Sequence, residues 1–319
     1  QRQCLGNDGT LLNNYNWKLT WSPVSNNRFN FQNTWAQKYK NARGAADTRP
    51  LETTQQQKAV SSDYGTFGWE TGPSPIWKMG DQHVFSDRFL MDIQAGHVGN
   101  NFTLTFQEEA QRGIQPINEL SDGSWQRSFS ESVFIRPTDS IDITANYFLP
   151  ATMGGDHALK VGYRWRNARG DSISHFGGDV VARYDEGDAV EAQFYRDGNT
   201  RYLLKTQARY LEDTYTRNRL TLNLGLRWDR QTDEALASEV PANSLIPTIM
   251  PAISFSGASH DVVWNDISPR VGVNYDIFGT GRTVARSSYA MYFGQMGPGQ
   301  LVGNLVSIGQ VFVRYPWVD

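Results

Sequence analysis

The sequence predicts an all-β fold, an antiparallel transmembrane β-barrel with long extracellular loops. Three observations carry that prediction. First, Leu220–Asp229 alternates strictly, with Leu, Leu, Leu, Leu and Trp at even positions and Thr, Asn, Gly, Arg and Asp at odd ones. Side chains of a strand point alternately to opposite faces, so this segment has one apolar and one polar face. Second, the pattern recurs along nearly the whole chain, and its apolar face keeps ending in Trp or Tyr. Repeated two-faced strands with aromatic ends are how a polypeptide lines a bilayer as a closed barrel. Third, only 39% of the 319 residues are hydrophobic, yet 13% are aromatic. A disordered chain is poor in aromatics, whereas a barrel with a wet interior must be half polar along each strand.

Composition also narrows the function. No run of about 18 apolar residues exists, which excludes a helical membrane span. The net charge of −3 lacks the basic excess of a nucleic-acid binder. The single cysteine, Cys4, can form neither an internal disulfide nor a cysteine metal site. The chain opens Gln1-Arg2-Gln3 without a signal peptide and closes at Trp317-Val318-Asp319 without a terminal aromatic strand, the signs of a processed or partial piece of a larger protein.

The strands read in order. Tyr15, Trp17, Leu19 and Trp21 alternate with Asn16, Lys18 and Thr20. After a turn over Ser22–Asn27, Phe29, Phe31 and Trp35 alternate with Asn30, Gln32 and Thr34, forming a hairpin. A long polar segment, Ala42–Pro75, lacks periodicity; loops of this length belong to the extracellular side of a barrel. A second hairpin joins Ile76–Phe85 to a strand beginning at Phe89 through Ser86-Asp87-Arg88. Ile141, Ile143, Ala145 and Tyr147 come next, followed by the Gly154–Asp156 turn and Leu159, Val161, Tyr163 and Trp165. Shorter strands, Gly178–Tyr184 and Ala189–Tyr195, meet at Asp185–Asp188. Arg201–Asp213, Arg219–Arg230, Ile267–Phe278 and Arg282–Gln295 follow, with a weak last candidate at Gln310–Tyr315. The alternation template gives about 13 strands.

Antiparallel strands reverse at each connection, so turns must alternate between two sides. Gly154–Asp156, Asp185–Asp188, Thr214–Asn218 and Gly279–Gly281 fall on one side, assigned as periplasmic by their tightness. Asn167–Gly177, Asp197–Asn199 and Gln231–Asp266 fall on the extracellular side. Parity breaks once: if Phe89–Phe106 rises and Ile141–Phe148 descends, Trp125–Ile135 cannot be a full-length strand between them. It is read as part of an extracellular loop.

Several of these segments resemble the barrel of TonB-dependent outer-membrane transporters, particularly the Oar-like receptors. They are Tyr210–Tyr215 leading into Arg219–Trp228, Ser268–Asp276 and Gly281–Tyr289, with hairpin pieces at Tyr15–Tyr39 and Gly155–Arg166. The resemblance implies residence in the bacterial outer membrane and a barrel of about 22 strands. It further implies an N-terminal plug and energy delivered by the TonB complex. No plug segment and no TonB box is found, and the strands are too few to close so large a barrel. Residues 1–319 are therefore expected to be a barrel portion, with the plug and remaining strands outside this chain. Expected partners are outer-membrane lipid, the TonB energy-coupling complex, and an unidentified solute or extracellular partner, but not nucleic acid. A structural or adhesive barrel and a passive porin remain open.

Catalytic, cofactor and metal signatures are missing. His83, His97, His157, His175 and His260 form no His-x-x-x-His ligand pair. Ser259-His260-Asp261 has triad residue types, but adjacent residues point apart and cannot form a triad. Gly279-Thr280-Gly281 lacks a P-loop lysine and reads as a turn. Glu108-Glu109 can be a cation site or plain solvated charge. The chain is thus expected to be neither an enzyme nor a cofactor protein.

Lys160, Arg164, Arg166, Lys205, Arg209, Asn223, Arg227 and Arg286 are assigned to the polar, lumen-facing phase. Such cations could attract anionic solutes or hold a plug, or simply pair with Asp142, Asp229 and other nearby carboxylates. Trp17, Trp21, Trp35, Tyr147, Trp165, Trp228 and Tyr289 suit an interfacial aromatic girdle, since amphipathic rings settle at headgroup depth.

Overall fold

The computed structural model describes residues 8–58, 75–304 and 308–317. Cys4 and part of the Ala42–Pro75 segment lie outside the described residues. The first strands are β1 (Thr10–Val24), β2 (Asn27–Arg43), β3 (Gln55–Lys58), β4 (Pro75–Ser86), β5 (Phe89–Val98) and β6 (Phe102–Phe106). They are followed by β7 (Ile117–Glu119), β8 (Trp125–Gln126), β9 (Ser130–Ile135), β10 (Thr138–Thr152), β11 (Gly155–Phe176), β12 (Val180–Asp185) and β13 (Asp188–Arg196). The rest are β14 (Gly198–Arg217), β15 (Leu220–Ala235), β16 (Ser238–Val240), β17 (Ile253–Phe255), β18 (Ala258–Ser259), β19 (Trp264–Asp276), β20 (Val284–Ala290) and β21 (Val311–Pro316).

A wall of ten strands dominates: β1, β2, β4, β5, β10, β11, β14, β15, β19 and β20 pair antiparallel in that order. Each is next to its predecessor in the wall, so the topology is a meander, the connectivity of outer-membrane barrels. Among the described residues β1 pairs only with β2 and β20 only with β19, so the wall is open at both ends.

Register explains why the alternation matters. Residues directly opposite each other in a ladder share a face. One row runs Trp21, Phe29, Asp81, Ile93, Ile143, Tyr163, Arg209, Trp228 and Ile267 across nine strands. The next runs through Met91, Ala145, Val161, Leu211, Leu226 and Pro269. Trp21 and Phe29 sit close to their turn, whereas Trp228 is far up its strand. Rows therefore climb across the wall, the stagger that tilted barrel strands require.

The tight turns gather at one end. β1–β2, β4–β5, β10–β11 and β14–β15 close over two residues each, and Asn218 takes the positive φ of 50° that such a turn demands. The longer β19–β20 connection is capped by Asp276, whose carboxylate accepts bonds from Gly279 N at 3.0 Å and Gly281 N at 2.8 Å.

The opposite end carries the added structure, and it corrects part of the sequence reading. Asn167–Gly177 is mostly not a loop: β11 runs on to Phe176. It pairs with β14 without interruption from Asp156–Thr216 to Ser174–Gly198. Two wall-spanning strands cannot fit between partners already bonded to each other. The β12–β13 hairpin is therefore an excursion at the long-loop end, and Asp185–Asp188 is not a turn on the tight side. β12 and β13 belong to a separate five-stranded sheet, ordered β21, β13, β12, β7, β8. The Gln310–Tyr315 candidate corresponds to β21 of that small sheet and is not a wall strand. Trp125–Ile135 resolves into β8 and β9, both outside the wall. β9 pairs with the upper part of β11 and with β6.

After β20 no further wall strand is added at that edge among the described residues. Residues 291–304 fold back across the polar face of β11, β14 and β15. Met296, 1% exposed, packs with Ala168, Leu204, Trp264 and Leu301.

Candidate functional site

The wall has two chemically distinct faces. The apolar one is solvent-exposed over a large continuous area: Trp17 is 54% exposed, Trp21 60%, Leu211 52%, Leu226 55% and Tyr289 60%. Water-soluble proteins do not leave an apolar surface of this size bare. Hydrocarbon is the solvent that tolerates it.

All seven residues of the expected girdle lie on this face. Tyr15 packs tilted against Trp35 with centroids 5.2 Å apart, and Trp17 against Phe31 at 5.0 Å. Tyr147 is joined by Phe89 at 6.2 Å. Trp165 is opposite Ile141, Trp228 opposite Ile267, and Tyr289 opposite Val271.

The other face is polar. Lys160, Arg164, Arg166, Asn223, Arg227 and Arg286 lie on it. Lys160 Nζ sits 5.8 Å from the Tyr210 ring centroid. Asn223 Oδ1 accepts a bond from Thr214 Oγ1 at 3.0 Å, and Arg286 is opposite Asn274. Lys205 and Arg209 are not there. Arg209 is directly opposite Tyr163 and Trp228, and its guanidinium lies 5.3 Å from the Trp228 ring centroid. Lys205, four residues earlier on the same strand, shares that face and pairs with Glu234 at 2.9 Å. Both assignments to the polar phase are corrected. The physical reason is register: the two faces of β14 both mix aliphatic and charged residues, so only its pairing with β15 shows which is which.

The polar face gathers its charges into a cavity of about 420 Å³ beneath the folded-back segment. Its lining includes Asp142, Arg164, Arg166, Arg227, Asp229 and Arg270. Arg164 Nε donates to Asp142 Oδ1. Arg227 is bidentate to Asp229, with both bonds at 2.7 Å, the fork geometry guanidinium favours. Arg270 lies 3.9 Å from Glu212 and 5.1 Å from the Tyr292 ring centroid. Arg166 has no carboxylate partner among the described residues. With Glu212 counted beside Arg270, four arginines against three carboxylates leave one positive charge in excess at the cavity wall.

Gln231 fastens the cavity roof. Its Nε2 donates to Gly294 O at 3.1 Å, and its Oε1 accepts from Met296 N at 2.9 Å. Gln231 and the roof were missed because Arg282–Gln295 reads as one strand, whereas β20 ends at Ala290 and the chain from residue 291 turns back over the polar face.

The histidines are held by acidic or amide neighbours. His97 meets Asp139 at 2.7 Å, His157 meets Asp213 at 2.7 Å, His175 meets Asp197 at 3.0 Å, and His260 meets Asp233 at 2.8 Å. His83 is 3.0 Å from Asn27 Nδ2. His260 thus turns to Asp233 rather than to its sequence neighbour Asp261. His175, Asp179 and Asp197 bring ligand-type atoms within 4.8 Å of one another at the long-loop end. Glu109 is engaged by Arg112 at 3.4 Å.

An exposed apolar face, a charged opposite face and a strand meander define a membrane-wall β-protein of the outer-membrane class. Residues 6–312 match the family described as outer membrane beta barrel domain, and the chain belongs to that family. It is a protein of the bacterial outer membrane.

Among solved structures it is similar to the outer membrane transporter YddB from Escherichia coli, with a TM-score of 0.56 at 11% identity. That match covers 90% of this chain and 32% of YddB. It is also similar to the siderophore receptor PiuA from Acinetobacter baumannii, with a TM-score of 0.49, 12% identity and coverage of 84% of this chain and 40% of PiuA. The chain thus spans well under half the length of these structures, which are TonB-dependent receptors. YddB shares its fold. No curated protein matches the sequence.

Proposed function

We propose that this chain is part of the barrel wall of a TonB-dependent transporter that takes a solute across the outer membrane. The carrying observation is the single ten-strand wall whose apolar face is bare and whose polar face holds an arginine-lined cavity. In this reading the polar face lines the lumen, the elaborated end is extracellular, and the tight turns face the periplasm. Lys160, Arg164, Arg166, Asn223, Arg227 and Arg286 are lumen-lining residues, and the aromatic rings form the girdle. Unbalanced positive charge on a low-dielectric wall raises the local concentration of anions, which suits capture of an anionic solute. The plug and remaining strands would be supplied by chain outside residues 1–319, and energy by the TonB complex.

The full-length protein in planar lipid bilayers should carry little steady current, and growth on its limiting solute should disappear when TonB is deleted. A large steady conductance would identify a passive porin. Intact growth without TonB would rule out energised uptake.

A further inference from the structure

Arg209 faces outward, and it has company. On the same face, one row nearer the elaborated end, Arg230 stands opposite Gln207 and Asn265. Both arginines are exposed. Among the described residues neither has a carboxylate partner, unlike Lys205, which is neutralised by Glu234.

An uncompensated guanidinium on a bilayer-facing surface is costly at the membrane centre, and it is tolerated near the interface where it can reach a headgroup. The neighbouring residues place this pair at such a level: Trp228 and Tyr163 share the row of Arg209, and Trp165 shares that of Arg230.

On the other side of Arg209 the next row, Val161, Leu211 and Leu226, is apolar. A groove of about 600 Å³ runs along the outer face, lined by Ile143, Ala145, Val161, Leu211 and Leu226, with Arg209 and Trp228 at its end nearer the long loops. An apolar trough with Arg209 at its end and Arg230 one row beyond is complementary to a molecule with a hydrocarbon chain and an anionic head. Guanidinium binds phosphate oxygens in bidentate fashion, and the Trp228 ring holds Arg209 in place at 5.3 Å.

We infer that Arg209 and Arg230, with the groove below them, form a binding site for a membrane lipid carrying an anionic phosphate headgroup. An acyl chain lies along Val161, Leu211 and Leu226, and the phosphate sits between the two arginines. This site is on the face opposite the solute cavity and does not depend on what passes through the lumen.

The test uses the full-length protein in neutral detergent micelles doped with phosphatidylglycerol or, separately, phosphatidylcholine, with bound lipid counted by native mass spectrometry. Wild-type protein should retain phosphatidylglycerol in preference to phosphatidylcholine. The double variant Arg209→Gln/Arg230→Gln should retain it about tenfold less, roughly the loss of one charge-assisted hydrogen bond. Lys18→Gln, on the polar face, should match wild type. Equal retention of the two lipids, or unchanged retention by the double variant, overturns the site. Displacement of the lipid by inorganic phosphate alone would show a bare anion site and overturn the lipid assignment. A second variant, Leu211→Trp, fills the groove while keeping both charges, and it should also lower retention. Heat-modifiable migration on gels checks folding of each variant.

Discussion

At the residue scale, neighbouring positions on one strand differ more than distant ones on the same face. Leu224 and Asn223 are adjacent, yet Leu224 is opposite Asp213 and Val271, whereas Asn223 is opposite Thr214 and Gly272. Leu224→Arg places a charge among lipid chains and should cost about 2–4 kcal/mol in a reversible urea titration from lipid vesicles. Asn223→Arg should cost much less, and equal costs would invert the two faces. Gly162 shows a different constraint. The Tyr210 ring crosses directly over it, so an added Cβ would meet the ring at 2.0 Å. That ring hydroxyl bonds Thr144 Oγ1 at 3.0 Å. Gly162→Val should expel Tyr210 and destabilise by about 1–3 kcal/mol in the same titration. The alternation of Leu220–Asp229 made Asn223 and Arg227 legible in the sequence. Lys205 and Arg209 were illegible, since Leu203 and Leu211 share their face while Leu204 and Tyr210 occupy the other.

At the scale of elements, strand length decides what spans and what decorates. β11 and β14 are 22 and 20 residues long, about twice what a tilted strand needs to cross hydrocarbon. Their upper halves therefore rise beyond the membrane and support the small sheet. β12, of six residues, is too short to cross. In the sequence both kinds alternate, so short loop strands and wall strands look the same. Glu119 ties this outer layer together. Its carboxylate accepts bonds from Ser121 Oγ at 2.6 Å, Ser121 N at 3.1 Å, Glu186 N at 3.0 Å and Gly187 N at 3.2 Å. The Ser121 bonds come first among the causes that hold its pKa below the ordinary glutamate value. A lowered folded-state pKa means the ionised form is favoured by the native turn. The stabilisation is complete above the unfolded-state value and vanishes as pH falls through the folded one. Hydrogen exchange at the Glu186 and Gly187 amides, corrected for intrinsic rates, should accelerate on acidification below that range. Glu119→Gln should give the faster exchange already at neutral pH.

At the scale of the whole molecule, the direct β11–β14 pairing makes the wall independent of its decorations. Replacing residues 180–196 with a short Asn-Gly turn should leave assembly in the outer membrane intact, read as heat-modifiable migration of the full-length protein. Failure to assemble would mean that the hairpin is part of the wall after all. The class of protein was legible without coordinates, because period-two alternation with aromatic ends is imposed by a solvent with two phases, and most wall strands follow it. Count and placement were not. About 13 strands matched the alternation template, while ten form the wall. The sequence by itself determined a two-faced membrane wall, which aromatic residues lie on its apolar face, and most of its polar face, since those follow from local periodicity. Tertiary structure alone decided which hairpin leaves the wall, where residues 291–304 fold, and that Arg209 lies on the apolar face. Each of these depends on which strand a segment pairs with, and a shift of one residue in that pairing exchanges the two faces.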